Sequence, residues 1–307
     1  MTLIVDSQYL GFGAALSAAI FWSIAVIIFK SASEEISPFL ITALKNTIAA
    51  ICFICLFSCT AIPLWYNGFD KLDYFKILVS GILGMGLADV IFLYALSKIG
   101  ANRIALINCF EPVVIYVLSF LFLNTVLSNQ QFFGFIIVII AILMIHYEKD
   151  VDDIDTNLKR QGIMLQITAV VLSSLGIVLI KPVLSKVSGK IDIQLWVTAF
   201  RLLPGVLVAW IIFLFQKNKI QLLQPLKQTI ILKKIIISSG LGTFIALSFW
   251  IIGYANIKHP PIASILGQTS VIFIIILSWS FLKEKITSMR LIAMLFALMG
   301  VFLTVYN

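Results

Sequence analysis

Charge is scarce in this chain. Only 12% of its 307 residues are Asp, Glu, Lys or Arg, whereas 61% are hydrophobic, and the mean hydropathy is +1.08. A soluble domain carries about 25% charged residues, so too few are present to cover a water-facing surface. Histidine is nearly missing, with His146 and His259 alone. The four cysteines, Cys52, Cys55, Cys59 and Cys109, all sit in apolar runs. Three of them share a helical face by spacing, but no histidine joins them to complete a zinc set. They read as small apolar packing residues. No glycine-rich phosphate loop is present, so the chain does not draw on ATP by itself. No metal, no cofactor and no catalytic constellation is implied. The net charge of +8 is spread over short gaps between apolar runs. Basic residues placed so mark membrane loops, and no basic patch interleaves with aromatics as nucleic-acid binding requires.

What is present is greasy sequence in long blocks. A helix needs about 20 residues to cross a hydrocarbon core of about 30 Å. Ten runs qualify: 10–29, 38–59, 75–96, 104–123, 131–147, 162–180, 194–215, 235–255, 261–282 and 288–306. They are too long, and too apolar all round, for the alternating strands of a barrel. The first run follows MTLIVDSQYL, which lacks the basic region of a cleaved signal, so a retained transmembrane helix is expected there. One strongly polar stretch, EKDVDDIDTNLKRQ, divides the chain almost in half.

The halves resemble one another. Gly84 aligns with Gly242, Ile99 with Ile257 and Ala105 with Ala263 at one offset, while Gly11 and Lys30 align with Gly162 and Lys181. ITALK and VTAFR set Lys45 against Arg201. Each half holds five runs. An odd number sends the second half into the membrane from the opposite side, which produces inverted repeats with a site near the midplane. The expected fold is therefore an all-α polytopic membrane protein of ten transmembrane helices. Residues 1–148 and 162–307 would be two inverted five-helix repeats, joined by a polar linker at 149–161.

Particular stretches resemble the EamA-type members of the drug/metabolite transporter superfamily. EPVVIYVLSFLFLNTVLSNQQFFGFIIVIIAIL, from Glu111, resembles that family's first-repeat segment. SILGQTSVIFIIILSWSFLKEKITSMRLIAMLFALMGVFL, from Ser264, resembles the second and carries the turn acid Glu284. Lys30 and Lys181 end the first helix of each repeat, and Lys45 and Arg201 take the second-helix cation position. The chain departs from the pattern at Thr125, where the first turn acid is expected, and at Thr269 and Ser270, opposite Glu111 and Pro112. The resemblance spans roughly residues 10–306. It implies a ten-helix basket, the first four helices of each half lining a cavity and the fifth peripheral. Members of the family move amino acids, nucleotide sugars, other metabolites or drugs.

Charges inside membrane runs are costly and usually face a cavity or a partner. Glu111, beside Pro112, is read as lining the pathway, with Pro112 kinking its helix. Asp89 has Leu247 opposite it in the other half, so symmetry does not require it. Lys45 and Arg201 are candidate partners of these acids, or grips for a substrate carboxylate or phosphate. Lys30 and Lys181 are placed to snorkel. Asn108 and Gln268 are candidate hydrogen-bonding residues. Trp22, Tyr94, Tyr116 and Trp250 are candidate cavity aromatics, with Trp196, Phe249 and Tyr254 in runs that could face the cavity as well.

The sequence thus points to a secondary transporter of a small organic solute, an amino acid or related metabolite, exported by alternating access. A nucleotide sugar, a nucleotide or a drug is the alternative cargo, and a non-transporting receptor or scaffold the alternative class. Protons are the candidate coupling ion. A monomer or weak homodimer in lipid is expected, in a bacterial cytoplasmic membrane. Loops after odd-numbered runs hold more Lys and Arg than those after even-numbered runs, which puts the termini outside. The family resemblance puts them in the cytoplasm.

Overall fold

The structure, a computed structural model, describes residues 7–60, 62–108, 110–146, 155–283 and 288–305. Helices make up nearly all of it, and no strand occurs among the described residues. Lipid offers no partner for a backbone amide, so each segment satisfies its own. The helices are α1 (Ser7–Ser33), α2 (Pro38–Thr60), α3 (Lys71–Gly81), α4 (Asp89–Asn108), α5 (Glu111–Leu123), α6 (Asn129–His146), α7 (Thr156–Lys186) and α8 (Ile191–Leu214). After them come the short α9 (Lys219–Leu222), α10 (Thr229–Ser238), α11 (Leu247–Asn256), α12 (Pro260–Gly267), α13 (Thr269–Leu282) and α14 (Ser288–Val305). Seven stretches are long and apolar enough to cross a bilayer: Ser7–Ser33, Pro38–Thr60, Lys71–Ala105, Thr156–Lys186, Ile191–Leu214, Thr229–Asn256 and Pro260–Leu282. Glu111–Leu123 and Asn129–Ala141 are apolar but shorter. The protein is an integral membrane protein.

Its outer surface is apolar. Ile51, Phe120, Leu121, Leu207 and Phe281 all point outward, where water would penalise them and lipid does not. Cys55 and Cys59 share that outer face and are free, so their reading as packing residues is corrected. Cys109 and Glu284 lie outside the described residues.

Two spans contain π-helical turns. Ile82–Ala88 joins α3 to α4, and Ser239–Ala246 joins α10 to α11. A π turn inserts an extra residue and loosens the backbone ladder. The Asn46 side chain compensates by donating from Nδ2 to the Met85 carbonyl at 2.8 Å.

Helix breaks recur in the same order along the two halves. α4 is interrupted at Gly100, whose φ of 82° is the left-handed region that glycine enters at little cost. α5 then starts afresh at Glu111, after a turn closed by Phe110 N–H to the Ile107 carbonyl at 3.0 Å. In the second half α12 ends at Gly267, and Gln268 separates it from α13. α5 and α13 both end on a left-handed residue, Asn124 (φ 51°) and Lys283 (φ 57°). Pro112 does not kink a continuous helix, as the sequence suggested. It occupies the first turn of a new one, where its missing N–H costs nothing.

The first helix of each half leans on the other half. α1 packs against α10 to α13, and α7 against α3, α4 and α5. Glycines permit this closeness. A Cβ on Gly11 would stand 2.8 Å from Ile257 Cγ1, and one on Gly162 would collide with the side chain of Ile99. α6 and α14 pack chiefly against each other. α7 begins at Thr156, within the stretch 149–161 expected as a linker. There the Asp155 carboxylate caps it by accepting from the Asn157 N–H at 2.9 Å.

Candidate functional site

Several of the polar residues buried in the spans line one cavity. The cavity volume is about 160 Å³. Its wall is mainly small or apolar, with Ala18, Ala19, Ala88, Ala169, Val170, Ala246 and Leu247 among its residues. Trp22, Phe92 and Trp250 add flat faces, and Trp22 packs on Phe92 with ring centres 5.5 Å apart. The polar residues on the wall are Lys45, Asp89, Asn108, Glu111, Gln166, Ser173, Thr243, Ser264, Gln268 and Ser270.

Lys45 and Asp89 form an ion pair at 2.5 Å. Lys45 is 1% exposed and Asp89 13%. The lysine also donates to Asn46 Oδ1 at 3.0 Å, so its ammonium is well satisfied. α2 brings Lys45 and the residue just after the π turn brings Asp89, which explains how two charges 44 positions apart meet so deep.

Glu111 opens α5, where the positive end of the helix dipole favours a carboxylate. Its Oε2 accepts from Gln268 Nε2 at 3.3 Å. This bond joins the break in one half to the break in the other. Among the described residues no cation reaches Glu111 within ion-pair distance. Nearby, Gln166 Nε2 donates to Asn108 Oδ1 at 2.5 Å.

Three named candidates stand away from the wall. Tyr94 stacks on Phe39 with centroids 5.2 Å apart, beneath Lys98. Tyr116 packs against Phe132 and Phe135 of α6. Arg201 lies behind Trp250, with its Cζ 5.8 Å from the ring. Elsewhere, Trp196 joins an aromatic cluster with Trp65, Tyr66, Phe69, Tyr74 and Phe200 and donates to the Leu64 carbonyl. Phe249 stacks on Phe21.

Lys181 does not snorkel. It is buried and donates to the carbonyls of Tyr254 and Ile257, both at 2.7 Å, which closes the C-terminal end of α11. Lys30 pairs with Glu34 at 3.2 Å, one turn along α1. Sequence reading missed Gln166, Thr243, Ser264 and Asn46. Each is a neutral polar residue in an apolar run, and that rarity was the available signal.

Three comparisons bear on what this cavity serves. One family model, the EamA-like transporter family, matches residues 9–147 and again residues 160–306. The chain belongs to the EamA-like transporter family. The "Uncharacterized transporter YetK" of Bacillus subtilis (strain 168) is 23% identical over 284 residues, covering 92% of this chain and 82% of that one. A solved crystal structure at 17% identity superposes with a TM-score of 0.72, over 97% of this chain and 95% of its own. It shares the fold. As an EamA-like transporter the protein has a small-molecule solute as its substrate, and the cavity just described is the candidate place for it.

Proposed function

We propose that the protein is a secondary transporter that exports a small amphoteric solute, an amino acid or related metabolite, across a bacterial cytoplasmic membrane. Ten spans form two inverted five-helix repeats, 1–148 and 162–307, and the solute is held at mid-depth between them. The observation that carries this reading is the pairing of Glu111 with Gln268 across the cavity, from the broken span of one half to the broken span of the other. Broken spans meeting at a polar cavity suit a solute site at the repeat interface.

The reciprocal contacts support the inversion. Gly11 meets Ile257 and Gly162 meets Ile99, which exchanges the two halves residue for residue. Two equivalent closures of this kind suit alternating access, one releasing as the other tightens. The working unit is a monomer or weak homodimer in lipid.

Glu111 is the carboxylate assigned to coupling. Lys45 neutralises Asp89, so Glu111 is the cavity acid left to take either a substrate ammonium or a proton. The same fact favours a cationic drug as the second cargo reading.

Counterflow in proteoliposomes tests the proposal. A panel of amino acids, a lipophilic cation and a nucleotide sugar is presented to the wild type and to Glu111→Gln. Exchange of amino acids, lost in the variant, is the expected result. Absence of exchange for every compound would leave a non-transporting membrane protein as the better account.

A further inference from the structure

Among the described residues most buried side chains have their polar atoms satisfied, and apart from Ser119 and Ser174 the exceptions lie at or beside the cavity. Arg201 is 1% exposed, yet neither Nη1 nor Nη2 has an acceptor. Its Nε donates to Ser80 Oγ at 2.8 Å, and Ser80 donates onward to the Gly176 carbonyl at 2.6 Å. One edge of the guanidinium is therefore fixed, while the outer fork is unmet. No carboxylate lies within ion-pair distance of Arg201 among the described residues. Asp89, already paired with Lys45, acts on Arg201 only from beyond that distance; a buried charge without a direct partner is expensive, so a fold that keeps one is holding it for a partner that comes and goes.

The surroundings agree. The Tyr254 hydroxyl and Ser264 Oγ are also buried without a well-formed hydrogen bond, although they lie close enough to influence each other. Tyr254 lies within electrostatic reach of both Arg201 and Glu111. Thr243 Oγ1, Gln166 Oε1 and Gln268 Oε1 are unmet as well, and all three residues line the cavity. Every one of these groups belongs to the second half of the chain. Glycine keeps room around the guanidinium, since a Cβ on Gly84 would stand 2.5 Å from Nη2. Trp250 stands between the cavity and this group, lining the cavity while its ring packs against Arg201 and Tyr254.

We infer that Arg201, with the hydroxyls of Tyr254 and Ser264, forms an oxyanion subsite entered from the cavity past Trp250. A planar fork with both outer nitrogens free fits two oxygens of a carboxylate or phosphate side by side. The ligand class is a small solute carrying such a group on an apolar body, because the adjoining wall is mostly alanine and aromatic. The inference rests on the transport reading above, whose Glu111 would take an amine at the other end of the same solute.

A matched series tests it on the full-length protein in detergent and in proteoliposomes. The probes are leucine, leucinamide, isocaproate and isopentyl phosphate, read by ligand-induced shift of Tm and by competition in counterflow. Leucine and either oxyanion probe are expected to act, and leucinamide to be at least tenfold weaker. Arg201→Met should remove that discrimination by at least tenfold and raise the ligand-free Tm, because the variant no longer buries an unmatched charge. Tyr254→Phe, a milder change, should weaken the oxyanion probes several-fold. Isopentyl phosphate outranking isocaproate would assign the oxyanion to phosphate, and the reverse order to carboxylate. Leucinamide binding as well as leucine, or Arg201→Met lowering the ligand-free Tm, would overturn the subsite. If Arg201→Met keeps both flux and discrimination, the subsite falls and the transport reading stands. If the wild type moves no compound of any class, both fall together.

Discussion

Gln268 donates a hydrogen bond to Glu111 at 3.3 Å across the join between the two halves. Each residue sits where a span breaks, one at the start of α5 and the other just before α13. The bond is long for a charged acceptor, which suits a contact that a substrate amine can replace. Glu111→Gln is expected to leave Tm within a few degrees and to cut counterflow by at least tenfold. Gln268→Ala is expected to cut it less, because the carboxylate remains. Equal flux in Glu111→Gln and wild type would remove Glu111 from the pathway.

The Lys45–Asp89 pair is expected to behave as a unit. Removing one member of a buried pair leaves the other charge stranded, at a cost of about 3–5 kcal/mol. Lys45→Met and Asp89→Leu should each lower stability by that order, whereas the double variant should recover most of the loss. A double-mutant cycle on chemical or thermal unfolding in detergent measures the coupling, and additive losses would show the pair to be independent.

Lys181 holds two carbonyls at the end of α11. Lys181→Met strands them in a dry environment, at about 1–3 kcal/mol for each group left unmet. A drop in Tm without loss of substrate discrimination is expected. Lost discrimination at unchanged Tm would give Lys181 a binding role instead.

Gly11 and Gly162 hold reciprocal contacts with Ile257 and Ile99. Gly11→Ala and Gly162→Ala overpack those contacts, which costs about 1–3 kcal/mol each. Trimming the partner to alanine removes the γ carbons that meet the added methyl, so Gly11→Ala should cost less in an Ile257→Ala background, and Gly162→Ala less in an Ile99→Ala background, than in the wild type. If trimming gives no rescue, the glycines serve backbone shape rather than closeness.

His259 lies in the turn before α12, outside the spans. Burial, followed by the charges of Lys258 and Lys181, holds its imidazole below the ordinary value of 6.5. The folded protein therefore binds the proton less readily than the unfolded chain. Its stabilising effect is present above that ordinary value and is lost as pH falls through it toward the depressed one. Tm should decline on acidification in this window, and His259→Gln should flatten that decline.

Much of this was readable beforehand, and the reasons are physical. Lipid forbids unpaired backbone and stray charge, so run lengths and isolated ions carry unusually clear information. Lys45, Asp89, Glu111 and Gln268 stood out as polar residues in apolar runs, and all four line the cavity. The helix breaks were less legible. Pro112 signalled a disturbance, but whether a proline bends a helix or begins one depends on the turn before it. The π turns left no trace beyond their glycines, because an extra residue in a helix changes geometry without changing composition. In the sequence Lys181 reads as a snorkelling helix-end cation and Arg201 as a cation within its span, yet both are buried. Only the packing shows that one is fully occupied by carbonyls and the other is not.

The π turn at Ile82–Ala88 sets a rotational phase. One residue advances an α-helix by roughly 100°, so the surplus residue decides which way everything beyond it points. Gly84, against Arg201, lies within that turn, and Asp89, against Lys45, follows it directly. Shortening the segment by a single residue would turn Asp89 toward a different neighbour and leave Lys45 facing hydrocarbon, with every other side chain in the span still present. The spacing of this stretch is thus as consequential as its composition, and a deletion there would be more damaging than most substitutions.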